Sequence, residues 1–166
     1  TQPKLDRHTD AFGHTIFEGL PTPHRIIFDE VELASQLKRV DIIFPKKGER
    51  WDWQQAASNI VDESSQCVLA IVNTRNDANE LYQQISTFNP DAILIHLSAS
   101  MSPMHRELMI IFINQVLVKH HKGELDCPFY VVSTQLIEAG VDVDFPVVYR
   151  AMTGLDSIAQ SAGRCN

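Results

Sequence analysis

No run of apolar residues in the chain approaches the roughly 20 that a membrane-spanning helix needs. No basic stretch leading into an apolar one marks the amino terminus, so insertion and secretion are unsupported and the expected setting is the cytoplasm. Cysteine is scarce. Cys67, Cys127 and Cys165 stand far apart with no Cys-x-x-Cys pair, which excludes a disulfide framework or zinc knuckle and fits reduced thiols. Positive charge is also short, with 14 Lys and Arg against 21 Asp and Glu and a formal charge of -7. A whole-surface grip on nucleic acid is thereby excluded, and any such contact must be local. None of the seven glycines opens a Gly-Lys-Ser/Thr sequence, so the chain has no loop of its own to cradle triphosphate oxygens.

Two features imitate sites and are better read otherwise. RIIFDEVE looks like an apolar strand running into a magnesium-binding Asp-Glu pair, yet no phosphate loop lies upstream. Asp29 and Glu30 suit the acidic first turn of a helix. His120 and His121 sit beside Lys119 and Lys122 just before Gly123, where cations favour a helix carboxyl end, so no metal ligand set is expected.

The 166 residues, 44% of them hydrophobic, are enough for one domain with a real core. From residue 24 onward the apolar runs RIIF, VDIIF, CVLAIVN, AILIHL, PFYVVS and FPVVYR alternate with amphipathic stretches. That rhythm predicts an α/β fold, and continuous apolar runs predict a mainly parallel sheet covered on both faces, a three-layer sandwich. Asn73 and Thr74 end one run and start a helix with Ala78, Leu81, Tyr82 and Ile85 on one face, stopped at Asn89-Pro90. Ser102-Pro103 starts another, with Leu108, Ile111, Phe112, Gln115 and Val118 as its stripe and Gly123 as its end. Residues 1–23 show neither period and carry Gly13, Gly19, Pro21 and Pro23, predicting an extended leader or linker before a domain at 24–166.

Ligands of parallel α/β sheets bind where strands end. Three such ends are polar: Asn73-Thr74-Arg75; His96, Ser98 and Ser100, followed by His105-Arg106; and Ser133-Thr134-Gln135, leading to Glu138, Gly140, Asp142 and Asp144. Hydroxyls, amides and helix amino ends contact sugar-phosphate without reading bases. Ser, Thr and Asn at such junctions, taken singly, are more often simple helix caps than ligand contacts. Near the carboxyl end, Gly163 precedes Arg164, whose planar fork suits phosphate.

Taken together these strings resemble a known family. VLAIVNTRNDA is similar to motif IV of superfamily 2 helicases, IHLSASMSPMHR to the motif that follows it, VVSTQLIEAGVDVDF to motif V and QSAGRCN to the start of motif VI. The wording of IEAGVDVDF with LDSIAQSAGRCN is most similar to the CRISPR-associated helicase-nuclease of type I systems. The resemblance runs from about residue 66 to 166, weakens over 24–65, and implies a second RecA-like motor domain ending inside motif VI. Ser161 stands where many helicases carry arginine.

The resemblance implies single-stranded DNA contacts by Asn73, Thr74, Arg75, Ser98, Arg106, Ser133, Thr134 and Gln135. It implies nucleotide contacts by Gly140, Asp142, Gln160, Gly163 and Arg164, with Arg164 as the catalytic arginine. ATP and magnesium would be held mainly by a first RecA-like domain absent from this chain, leaving the isolated chain without ATPase activity. A fused His-Asp nuclease domain and a CRISPR RNA-guided surveillance complex are the other implied partners. His8-Thr9-Asp10 lacks the adjacent His-Asp form, so nuclease chemistry is not expected here. The alternatives are the same domain from another DNA or RNA helicase of the superfamily, or a non-catalytic α/β interaction domain.

Overall fold

The structure, a computed structural model, describes residues 7–19, 29–36, 38–137 and 141–165. They divide into two compact units, Thr1–Lys38 and Arg39–Asn166, whereas the sequence rhythm set the boundary at 23/24. RIIF lies outside the described residues.

The first unit is small. Strands β1 (His8–Thr9) and β2 (Thr15–Phe17) pair antiparallel, so part of the expected leader is a hairpin. Asp10 makes its turn: Oδ1 accepts from the Phe12 and His14 amides at 2.9 and 2.8 Å, and Gly13 supplies a φ of +84°. The His14 amide, ahead of the other hydrogen bonds, lowers the Asp10 pKa. Helix α1 (Glu30–Gln36) follows, with Asp29 accepting from the Glu32 amide at 2.8 Å. Asp29 thus caps the helix.

The second unit carries the sheet. Helix α2 (Trp53–Val61) begins with a reciprocal capping box, Asp52 accepting from the Gln55 amide at 2.7 Å. Next come strand β3 (Cys67–Val72), helix α3 (Arg75–Phe88), strand β4 (Ile93–Leu97), helix α4 (Pro103–His121) and strand β5 (Phe129–Thr134). A short 3-10 turn (Gln135–Ile137), strand β6 (Val147–Arg150) and helix α5 (Leu155–Ala162) complete it. The strands lie in the order β4-β5-β3-β6, all parallel. All six residues of β3 are buried because both sheet faces are covered. One face packs Leu69, Ile71, Val131 and Phe129 against Ile113, Val116 and Leu117 of α4 and against Val141, Val143 and Phe145. The other packs Val68, Ala70 and Val132 against Ala57 and Ile60 of α2 and Ala78, Leu81 and Ile85 of α3. This is the α/β three-layer arrangement with a parallel sheet.

Local signals set the helix ends. Thr74 caps α3 by accepting from the Asp77 amide at 3.1 Å, and Ser102 caps α4 by accepting from His105 at 3.3 Å. Gly123, at φ +67°, donates to the His120 carbonyl at 2.9 Å and closes α4. The His120 ring reaches away from that end, its Nε2 lying 3.2 Å from the Ser65 carbonyl.

Two expectations are corrected. VDIIF forms no strand: Ile42, Ile43 and Phe44 are 51%, 92% and 55% exposed. An apolar run becomes a strand only where it joins a ladder, and residues 40–44 belong to neither of the sheets found among the described residues. The stripe expected to bury α4 faces outward, with Leu108, Ile111, Phe112 and Val118 all exposed. Helix α4 is apolar nearly all round, so spacing alone does not choose its inner face; the groove over β4 and β5 takes Ile113, Val116 and Leu117.

That choice of face is measurable. Ile113→Ala is expected to cost about 2–5 kcal/mol in denaturant unfolding, the scale of a truncated core side chain. Ile111→Ala is expected to cost about 0.5 kcal/mol or less, as for surface substitutions. Equal costs would show that the inner face has been misassigned.

Candidate functional site

Because every strand of the four-stranded sheet runs the same way, their carboxyl ends share one edge. Val72 pairs with Thr134 across β3 and β5, Leu97 with Ser133 across β4 and β5, and Ile71 with Arg150 across β3 and β6. The residues just beyond these positions therefore gather at that edge: Asn73, Thr74 and Arg75; Ser98 and Ser100; Thr134 and Gln135; and Ala151 and Met152. Arg106, in the first turn of α4, follows the end of β4.

Burial sorts the group. Arg75, Thr74, Ser100 and Gln135 are exposed and Thr134 is half-buried. Arg75 donates to the Ser100 hydroxyl at 2.9 Å, which aims the guanidinium along the edge. Ser133 is fully buried and donates to the Thr134 carbonyl at 2.9 Å, so its expected contact with a strand is corrected to an internal bond. Ser98 is also buried, its hydroxyl accepting from the Ser100 amide at 3.4 Å. Asn73 is exposed, but both ends of its amide are engaged: Oδ1 accepts from Arg150 at 2.8 Å and Nδ2 donates to the Met152 carbonyl at 3.0 Å. Arg106 is half-buried, and its Nε lies out of solvent with no hydrogen-bond partner among the described residues. A buried unsatisfied donor costs about 1–3 kcal/mol, a cost an incoming anion would remove.

The motif V and VI residues form a second group. Asp142, Val143, Asp144, Ala162, Gly163 and Cys165 line a cavity of about 250 Å3 together with Arg39 and Val40. The Phe145 amide donates to the Arg164 carbonyl at 2.9 Å, tying the end of α5 to the segment that carries Asp142. Asp142 is exposed there, as is Gln160 on α5. A Cβ at Gly163 would press on its own helix, 3.3 Å from the Gln160 carbonyl oxygen, and the glycine lines the cavity. An exposed carboxylate beside a glycine suits the hydroxyl and phosphate edge of a nucleotide. Arg164 is half-buried, with its Nε out of solvent, and does not stand clear of the domain. Gly140 and Glu138 lie outside the described residues. Cys165 donates toward the Pro146 carbonyl at 3.5 Å, and burial raises its thiol pKa.

Two functional candidates escaped the sequence reading. Arg150 ends FPVVYR, and Arg39 precedes an apolar run; an arginine at the end of a strand is the signal that marks the first. His96 sits within β4, its ring 5.8 Å from that of Tyr82 on α3, and burial lowers its pKa. It belongs to the packing of the sheet.

Comparison with known proteins matches residues 64–166 to the C-terminal family model of the CRISPR-associated nuclease/helicase Cas3. The Cas3 nuclease/helicase of Haloferax volcanii is 38% identical over 76 residues, covering 46% of this chain and 8% of that protein. That of Methanothermobacter thermautotrophicus is 32% identical over 106 residues, covering 63% and 12%. The chain thus spans about a tenth of the length of these curated relatives. A crystal structure of T. fusca Cas3 superposes with a TM-score of 0.55 at 19% identity, over 66% of this chain and 13% of that one. The T. fusca Cas3-ATP structure gives 0.54 at 18%, over 76% and 15%. These two establish the shared fold.

The packing of His96 has a pH consequence. Its folded pKa lies below the ordinary 6.5, so between those values the unfolded chain holds a proton that the folded chain does not. Stability therefore rises with pH through that window and is lost as pH falls through it. The melting temperature should drop as pH falls below 6.5, and His96→Phe should flatten part of that drop. An unchanged profile in the variant would remove His96 as a cause.

Proposed function

Because the chain belongs to the family defined by the C-terminal part of the CRISPR-associated nuclease/helicase Cas3, we propose that it is the second RecA-like motor domain of an ATP-driven single-stranded DNA translocase acting in CRISPR interference. The observation that carries this reading is the gathering of Thr74, Arg75, Ser100, Thr134, Gln135 and Arg106 at the carboxyl edge of one parallel sheet. Such groups grip a sugar-phosphate backbone without base preference. Neutral contacts of this kind contribute about 0.5–1.5 kcal/mol each. Arginines concentrated at one edge reconcile strand contact with a formal charge of -7.

In this reading the nucleotide would be held between this domain and a first RecA-like domain, and ATP with magnesium would supply the free energy for closing the pair. This chain contributes Asp142 as an acceptor for ribose hydroxyls, the Gly163 backbone, an exposed Gln160, and the guanidinium of Arg164 against the phosphoryl oxygens. A guanidinium delivered only in the closed state ties hydrolysis to domain motion, with a contribution of about 10³–10⁵-fold. Half of such a motor is inert, so the isolated chain is not an ATPase. The full-length enzyme is an ATP-dependent helicase of the cytoplasm, partnered by its own nuclease domain and by a CRISPR RNA-guided surveillance complex.

In the full-length protein, Arg164→Ala is expected to lower DNA-stimulated turnover per folded molecule by about 10³–10⁵-fold, while the isolated wild-type chain turns over no ATP with or without DNA. Normal turnover accompanied by a lowered melting temperature would assign Arg164 to the fold.

Arg106→Ala should weaken binding of unrelated single strands alike. It should also reduce the slope of log affinity against log salt by about 0.7, the value for one phosphate contact on a single strand. An unchanged slope would place Arg106 off the strand.

A further inference from the structure

The end of β6 is fastened to the end of β3 by a clasp built from one arginine and one asparagine. The guanidinium of Arg150 donates through one nitrogen to Asn73 Oδ1 at 2.8 Å, to the Ala151 carbonyl at 3.0 Å and to the Ile71 carbonyl at 3.4 Å. Asn73 returns the connection, its Nδ2 donating to the Met152 carbonyl at 3.0 Å. The Ala151 amide donates to the Ile71 carbonyl at 2.9 Å, so backbone and side chains close the same gap. The partners are 77 to 79 residues apart in sequence.

What the clasp joins gives it meaning. Asn73 directly precedes Thr74, the cap of α3, and Arg75, whose guanidinium is held by Ser100 beyond β4. Met152 lies in the four-residue link between β6 and α5, and α5 ends at Gly163 and Arg164. One side of the clasp is thus the start of the candidate strand-binding edge, and the other is the start of the helix leading to the nucleotide cavity. A charge-assisted hydrogen bond is roughly twice as strong as a neutral one and more demanding in geometry. Such bonds would carry a shift of α5 to Asn73 and the amino end of α3.

We propose that Arg150 is a positioning residue that couples the motif VI helix to the strand-binding edge through Asn73, touching neither nucleotide nor DNA itself. The proposal rests on the translocase reading above. Spatial intermediacy alone does not demonstrate coupling, so the test must measure coupling.

The experiment uses the full-length protein and compares ATP turnover with and without a saturating unrelated single strand, normalised to folded protein. Wild type is expected to be stimulated by DNA. Arg150→Ala should keep the unstimulated rate and lose stimulation by about tenfold or more, within the 5–150-fold range of coupling between sites. Its salt slope for DNA binding should equal that of wild type, because no phosphate contact is removed. Arg150→Lys, which keeps a cation and one donor toward Asn73, should recover part of the stimulation. Asn73→Ala should lose stimulation similarly, and the double variant should be no worse than either single one.

Additive losses in the double variant, a reduced salt slope, or parallel loss of both rates would overturn the clasp. Should Arg150→Ala fail to fold, Arg150→Lys and Asn73→Ala carry the same test, and full stimulation in both would overturn it. A wild-type enzyme whose hydrolysis ignores single-stranded DNA would instead refute the translocase reading and the clasp with it.

Discussion

Parallel pairing of the four strands is the constraint from which the rest of the second unit follows. Parallel neighbours need a crossover of a dozen or more residues to return the chain to the same end. Those crossovers are the helices, and they must bury an apolar stripe against the sheet. β3 and β5 are consequently covered on both faces, and their residues are buried almost without exception. The same constraint sends every strand-to-helix turn to one edge. Thr74, Ser100, Gln135 and Arg150 have no sequence relation to one another, yet all lie at that edge.

The edge also sorts polar side chains by what is left for them to do. Capping consumes part of Thr74 and Ser102, and internal bonds consume Ser133 and Ser98. What remains for a ligand is a set of exposed hydroxyl and amide groups beside arginines. In an acidic protein this is a sensible division: general repulsion discourages loose association with polyanions, while a few placed guanidinium groups permit it along one line. The motif V and VI cavity is a different environment, with exposed Asp142 and Gly163 in its lining.

Fixed hydrogen bonds lie at both groups. Asn73 is anchored at both ends of its amide, the Phe145 amide holds the Arg164 carbonyl, and Arg75 is held by Ser100. In the proposed motor such fixed distances would matter, because a loose junction would dissipate a small displacement before it reached the other site.

The sequence by itself determined the elements whose causes are local. Continuous apolar runs marked β3, β4, β5 and β6, and caps within one turn of the chain marked Thr74, Asn89, Ser102 and Gly123 as helix boundaries. The ends of the apolar runs located the polar strand ends, and the resemblance to motifs V and VI pointed to Asp142, Gly163 and Arg164. Tertiary structure decided whatever depends on a distant partner. VDIIF has the composition of a strand but joins neither sheet among the described residues. Helix α4 offers two apolar faces, and only the shape of the sheet selects Ile113 over Ile111. Ser133 and Thr134 are adjacent in sequence, yet pleat direction buries the first and leaves the second at the surface. Asn73 and Arg150, each unremarkable in its own segment, become one structure only because parallel pairing brings β3 beside β6, since hydrogen bonding and burial act over a few ångströms of space and not over positions along a chain.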